Sequence, residues 1–345
     1  MSSGPVVLDP PPPTAPPPEP PTSRTGGGFS IRSLGIDRFS GLYVWVAVVV
    51  LFSILRPDTF ATLSNARIVA ADEAITAVVT LALTAALASG AFDISIGATM
   101  TWSIVCVAWL QSNQGLSPPV AIALTLLSAV VIGLVNGFIT VRLHVEPIIA
   151  TMGTSAVITA LAFWRADGRS IVTGIPQGFK DMARGQAAGI PYTVLFLAVI
   201  AGLLWYLLGH TPTGRFMYAT GGNEAAARLA GIRVGRLTFY GFIISAVVAS
   251  FAGILLTARV GSAGIDTGAP YLLPAFAGAF LGSTQIKPGR FNILGSLVAV
   301  YLLATGVKGL QMVFPSEPWI KDMFTGLTLI IAVSLAARAA RRTKE

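Results

Sequence analysis

Three groups of residues in this 345-residue chain are spaced so that they could act together. Thr76, Thr80 and Thr84 follow an i, i+4, i+8 rhythm, which on an α-helix keeps them within about 80° of one face. Thr151, Thr154, Ser155 and Thr159 follow i, i+3, i+4, i+8 and share a face about 140° wide. Rows of uncharged hydroxyls offer donors and acceptors without an ion pair, which suits a path for a neutral, hydroxyl-rich solute. The competing reading is structural, because Ser and Thr in membrane helices bond back to the i−4 carbonyl or tie helices together. The third group is the run Gly221-Gly222-Asn223-Glu224-Ala225-Ala226-Ala227-Arg228-Leu229-Ala230-Gly231. Asn223 is a good N-cap, the alanines carry a helix onward, Glu224 and Arg228 pair at i, i+4, and Gly231 suits the left-handed C′ position. The spacing predicts a rigid helix of about two turns. A mere connector needs no such rigidity, whereas a lever pushed by a partner does; the plainer reading is an amphipathic surface helix.

Catalytic chemistry has no foothold. The chain lacks HExxH, GxSxG and GxxxxGK[ST], so no catalytic residue is assigned and ATP hydrolysis would have to take place on another protein. His144 and His210 do not make a metal site, and no bound cofactor or metal is expected. The single cysteine, Cys106, excludes an intrachain disulfide.

The elements that must carry these groups follow from composition. With 54% hydrophobic and 11% charged residues, against about 25% charged in soluble domains, and a mean hydropathy of +0.74, the chain cannot be a soluble globule or a disordered protein. The expected fold class is an all-α polytopic membrane protein with about ten transmembrane helices, some short or interrupted. Ten apolar segments are read: 39–56, 74–92, 96–112, 118–141, 147–165, 191–209, 237–258, 271–285, 291–313 and 319–337. The second and third are separated only around Asp93, and 271–285 is short and contains Pro274, so these are candidates for interrupted or re-entrant helices. Across the middles of all ten segments no Asp, Glu, Lys or Arg is found, which weakens an ion-coupled carrier.

The flanks are polar. Residues 1–38 form a Pro-rich tail, expected to be disordered and cytoplasmic, and 339–345 a basic C-terminal tail. With ten spans and the N-terminus inside, 14 Lys and Arg fall inside and 9 outside, which favours both termini in the cytoplasm. The net charge of +8 is accounted for by this placement, and nucleic acid is not an expected partner.

Three blocks resemble a known family. Thr213-Gly214-Arg215 through Tyr218-Ala219-Thr220-Gly221-Gly222-Asn223-Glu224 to Gly231-Ile232 is similar to the cytoplasmic coupling segment of permease subunits from ribose/xylose-type ABC importers. Phe92-Asp93-Ile94-Ser95-Ile96-Gly97 resembles that family's Asp-Leu-Ser-Val-Gly element, and Asn136-Gly137 followed by Pro147 to Thr154 resembles another of its blocks. The resemblance covers about residues 40 to 338 and implies a type II ABC importer-like permease in a bacterial inner membrane. It further implies a second permease subunit, ABC ATPase subunits carrying ATP and Mg, and an extracytoplasmic solute-binding protein. Gly221, Gly222, Asn223, Glu224, Ala225, Ala226, Arg228, Leu229 and Gly231 would then receive the ATPase stroke. Thr76, Thr80, Thr84, Asp93, Asn136, Thr151, Thr154, Ser155 and Thr159 would be candidates for the translocation path. Arg165, Arg169, Lys180 and Arg184 would be candidates for docking the binding protein. One region departs from the pattern: where the sugar permeases carry an acidic Tyr-Glu-Leu-Asp start, this chain reads Tyr271-Leu272-Leu273-Pro274. The expected function is import of a small neutral polyhydroxylated solute, first of all a monosaccharide. Alternative cargoes are a nucleoside, a branched-chain amino acid or a furanose-like signal molecule, and the alternative class is a stand-alone carrier or facilitator.

Overall fold

A helix in a bilayer satisfies its own backbone, so apolar runs of this length fold as helices and then sort by which faces can pack. The computed structural model describes residues 36–342, with side-chain surroundings from 39 to 336. The Pro-rich tail therefore lies almost wholly outside the described residues, as do residues 343–345. The helices are α1 (Ile36–Leu55), α2 (Leu63–Ala88), α3 (Ile96–Ser112), α4 (Pro118–Arg142), α5 (Pro147–Arg165), α6 (Gln177–Arg184), α7 (Tyr192–His210), α8 (Pro212–Gly222), α9 (Glu224–Leu229), α10 (Val234–Val260), α11 (Leu272–Ser283), α12 (Ile293–Val313) and α13 (Trp319–Arg342). Seven are long and apolar enough to cross a membrane, and stretches within α1, α3 and the α11 region supply three shorter apolar helices. All ten apolar segments read from the sequence are thus helical. The chain is an all-α polytopic membrane protein.

Three boundaries correct the sequence reading. The second segment does not begin at residue 74: α2 starts at Leu63, where the Thr62 hydroxyl accepts from Asn65 N at 3.1 Å. Its first turns therefore include Arg67, Asp72 and Glu73, so charge does enter a helix long and apolar enough to span. The segment 271–285 contracts to α11, entered through a 3-10 turn at Ala269–Tyr271, with Pro274 in the first turn where its missing N–H costs nothing. The stretch from 165 to 190 is not plain loop, because it holds α6 and reaches a two-residue antiparallel pairing of Gln186–Ala187 with Ile190–Pro191.

α2 and α10 form the centre. From Ala74 to Ala88 every residue of α2 is buried, packed against α10, α11, α12 and α7. α10 is about 40 Å long at 1.5 Å per residue; α9 lies at its start and α6 at its end, where Arg184 donates to Arg259 O and Val260 O. These positions define two ends of the bundle, the α9 end and the α6 end. Glycines let backbones touch. A Cβ on Gly133 would stand 2.6 Å from Ile243 Cα, and one on Gly282 would stand 2.5 Å from Ser296 Cα. The pairs Gly133/Gly137 and Gly278/Gly282 are therefore helix-packing notches, facing α10 and α12 respectively. α1 is held more loosely, by Phe52 against Phe60 and by Trp45 Nε1 donating to Thr305 at 2.9 Å. Behind it lies an apolar cleft of about 790 Å³ bounded by α2, α7 and α12.

Gly133→Ala should lower the detergent-solubilised protein's unfolding free energy by about 1–3 kcal/mol through overpacking. Gly153→Ala on α5, where a Cβ would meet nothing within 4 Å, should leave it unchanged or slightly higher. Thermal unfolding of the two variants side by side checks this.

Candidate functional site

Two structures, one at an interruption between helices and one at the α9 end, gather most of the candidate residues. The chain breaks between α2 and α3 at residues 89–95. Here Asp93 is fully buried, and its Oδ1 accepts from Ser95 N at 2.9 Å and from Ser95 Oγ at 2.6 Å. Ser95 Oγ accepts from Asn136 Nδ2 on α4 at 2.8 Å, and Asn136 Oδ1 accepts from Thr154 Oγ1 on α5 at 2.7 Å. Thr151 Oγ1 accepts from Ile94 N at 3.1 Å and donates back to Pro147 O at 2.8 Å. Asp93, Asn136, Thr151 and Thr154 are thus one hydrogen-bonded chain that joins the break to α4 and α5. Ser155 and Thr159 lie further along α5, half-buried and outside this chain. Asp93 Oδ2 and Ser245 Oγ, both buried, face each other and have no other partner among the described residues.

The α2 row has different partners. Thr80 and Thr84 are fully buried and bond back to Thr76 O and Thr80 O, each at 2.8 Å. Thr84 Oγ1 also meets Ser296 Oγ on α12 at 2.9 Å. Thr76 borders a cavity at the α6 end.

At the other end, α8 and α9 form a bent pair. Asn223 is extended at φ −157°, and its Oδ1 accepts from Ala226 N at 3.0 Å to start α9. Glu224 pairs with Arg228 across one turn. Gly231 closes the helix at φ +79°, with Ile232 N donating to Ala227 O at 3.0 Å. Gly222, Ala225 and Leu229 face solvent, and Leu229 is 91% exposed. The pair is anchored rather than dangling. A Cβ on Gly221 would stand 2.6 Å from Ala88 O at the end of α2. Tyr218 OH donates to Phe291 O at 2.7 Å, and Arg290 lies over the Tyr218 ring at 4.1 Å. Burial pushes the Tyr218 hydroxyl above its ordinary value, with Arg290 opposing, so the donor stays protonated at neutral pH. α8 was not among the helices read from the sequence; its Gly214 and Gly221 are both tight contacts, Gly214 beneath the end of α7.

The four cations at the α6 end separate. Arg184 caps the carbonyls of α10, and Arg165 stacks on Trp109. Arg169 is exposed and Lys180 half-buried, and neither makes an ion pair among the described residues. The described residues include no cluster of His, Cys, Asp and Glu able to hold a metal ion.

Against known proteins, residues 66–333 match the family model described as branched-chain amino acid transport system / permease component. The chain is 33% identical over 298 residues to Ribose import permease protein RbsC of Bacillus subtilis (strain 168), covering 86% of this chain and 91% of that protein. It is 28% identical to Ribose import permease protein RbsC of Haemophilus influenzae, covering 77% and 81%. It is 30% identical to Autoinducer 2 import system permease protein LsrD of Yersinia enterocolitica, covering 84% and 91%. No solved structure matches the chain significantly.

Asn136→Ala should strip partners from Ser95 and Thr154 and lower stability by about 1–3 kcal/mol. Ser155→Ala, on the same helix but outside the network, should change it by less than about 0.5 kcal/mol. Denaturation of the two variants in one detergent distinguishes them.

Proposed function

Because the chain belongs to the branched-chain amino acid transport system / permease component family, we propose that it is the membrane-spanning subunit of an ATP-driven ABC importer for a small neutral polyhydroxylated solute, in the first instance a monosaccharide. A permease subunit is not itself an enzyme, so ATP and Mg belong to partner ATPase subunits. A second permease subunit, identical or not, completes the path, and a solute-binding protein delivers cargo from outside. Ribose and autoinducer 2 appear in the relatives' names. Of the hydroxyl rows, Thr76, at a cavity, is placed to meet cargo of that kind, whereas Thr80, Thr84, Thr151 and Thr154 are taken up by the packing.

The observation that carries this reading is the mounting of α9. It presents an exposed leucine and a charged pair to solvent while its own base is wedged, through Gly221, against the last turn of α2. A push on α9 reaches Ala88 through backbone contact, then the break at 89–95, then Asn136 and Thr154. Arg142, Arg215, Arg228, Arg233, Arg236, Lys287 and Arg290 crowd the α9 end or the turns beside it, which supports a cytoplasmic placement of that end and of both termini. On the α6 end, Arg169 and Lys180 are available for acidic groups of the binding protein.

In proteoliposomes containing the assembled importer, Glu224→Ala/Arg228→Ala and Leu229→Asp should each cut solute uptake by at least about tenfold while the permease still inserts. ATP hydrolysis by the co-purified ATPase should continue without matching uptake. Uptake that persists without any ATPase, or a wild-type permease with which no ATPase co-purifies, would instead establish a facilitator.

A further inference from the structure

Adjacent carboxylates at the start of α2 have different fates. Asp72 is taken up by Arg259 of α10, which also donates to Ala71 O. Glu73 borders a cavity of about 490 Å³ at the α6 end, between α2, α11, α12 and α13. The cavity lies within the size range of small-molecule sites, about 300–1,000 Å³. Around Glu73 stand the hydroxyls of Thr76, Thr267, Tyr271 and Thr325, and one ammonium, Lys321, lies within Coulomb range.

We propose that this cavity is an entry site for a neutral polyhydroxylated solute, with Glu73 as a specificity-determining residue; the proposal rests on the importer reading above. A polyol presents several groups that each donate and accept. Thr267 and Thr325 give their protons to Gly264 O and Lys321 O and so offer acceptor lone pairs. The Thr76 and Tyr271 hydroxyls also border the cavity, and a carboxylate with two acceptor oxygens can take two neighbouring solute hydroxyls at once. Arg259 is occupied by Asp72, so the remaining charges are Glu73 and Lys321, one of each sign. The cavity therefore asks for no net charge from its guest. A zwitterionic amino acid could also span that pair, but the hydroxyls around it outnumber the charges. The placement also fits, because the α6 end is the face to which the proposed binding protein delivers.

The experiment uses the assembled importer carrying Cys106→Ser and, at an apolar lining position of the cavity, Val307→Cys, in proteoliposomes, with labelled D-ribose and L-leucine as probes. D-ribose should slow modification of the introduced cysteine by a water-soluble maleimide, and L-leucine should not. Glu73→Gln should abolish that protection and lower ribose uptake per ATP hydrolysed by at least about tenfold, with ATPase activity retained and partial recovery in Glu73→Asp. Normal ATP-driven ribose uptake with no protection and an unaffected Glu73→Gln variant would overturn the entry site while leaving the importer reading intact. Protection by L-leucine instead of D-ribose would overturn the polyol assignment. Absence of ATP-driven uptake of either probe by the wild type would bring down the importer reading and this proposal with it.

Discussion

A chain that stops being helical inside a bilayer must find partners for the amides it releases, and the break between α2 and α3 does so for five of the seven amides at 89–95. Ser89, Gly90 and Ala91 donate back into the last turn of α2, Ile94 N is taken by Thr151, and Ser95 N by Asp93. Because two of those acceptors are side chains, one on another helix, the break exists only while α5 is in place. Asn136 then ties α4 to the same point. An unpaired amide or carboxylate in such a setting costs several kcal/mol, so loss of one partner spreads to the others. The short α3, the course of α4 and the seat of α5 all follow from this knot.

Much of this architecture was legible as hydropathy. The limits 96–112 and 147–165 coincide with α3 and α5, because proline, a capping residue or the Asp93 break marks their edges. α2 was not legible at its start. Its first turns carry Arg67, Asp72 and Glu73, and a hydropathy window reads such residues as solvated. Asp72 and Glu73 are tolerated there because α10 supplies Arg259 and α13 supplies Lys321, cations separated from them by more than 180 residues of sequence. No local pattern announces a distant counter-ion.

The candidate residues divide along the same line. The cap at Asn223, the Glu224–Arg228 pair and the left-handed Gly231 are local devices, and each is visible in the sequence. What the hydroxyls face is not local. The i, i+4 row on α2 and the i, i+3 row on α5 look alike as sequence, yet one closes on α12 and the other on the broken strand of backbone before α3. Arg184 and Arg165 look like free surface cations until α10 and Trp109 claim them.

The glycine contacts set how many parts can move independently. α4 meets α10 at Gly133, α11 meets α12 at Gly282, and α8 meets α2 at Gly221, each backbone against backbone. Contacts of that kind leave no side chain to swing aside, so each pair translates as a single body. By contrast, a Cβ would meet nothing within 4 Å at Gly153 on α5 or at Gly326 on α13. Within a welded pair, a small displacement at one end therefore arrives at the other with little loss.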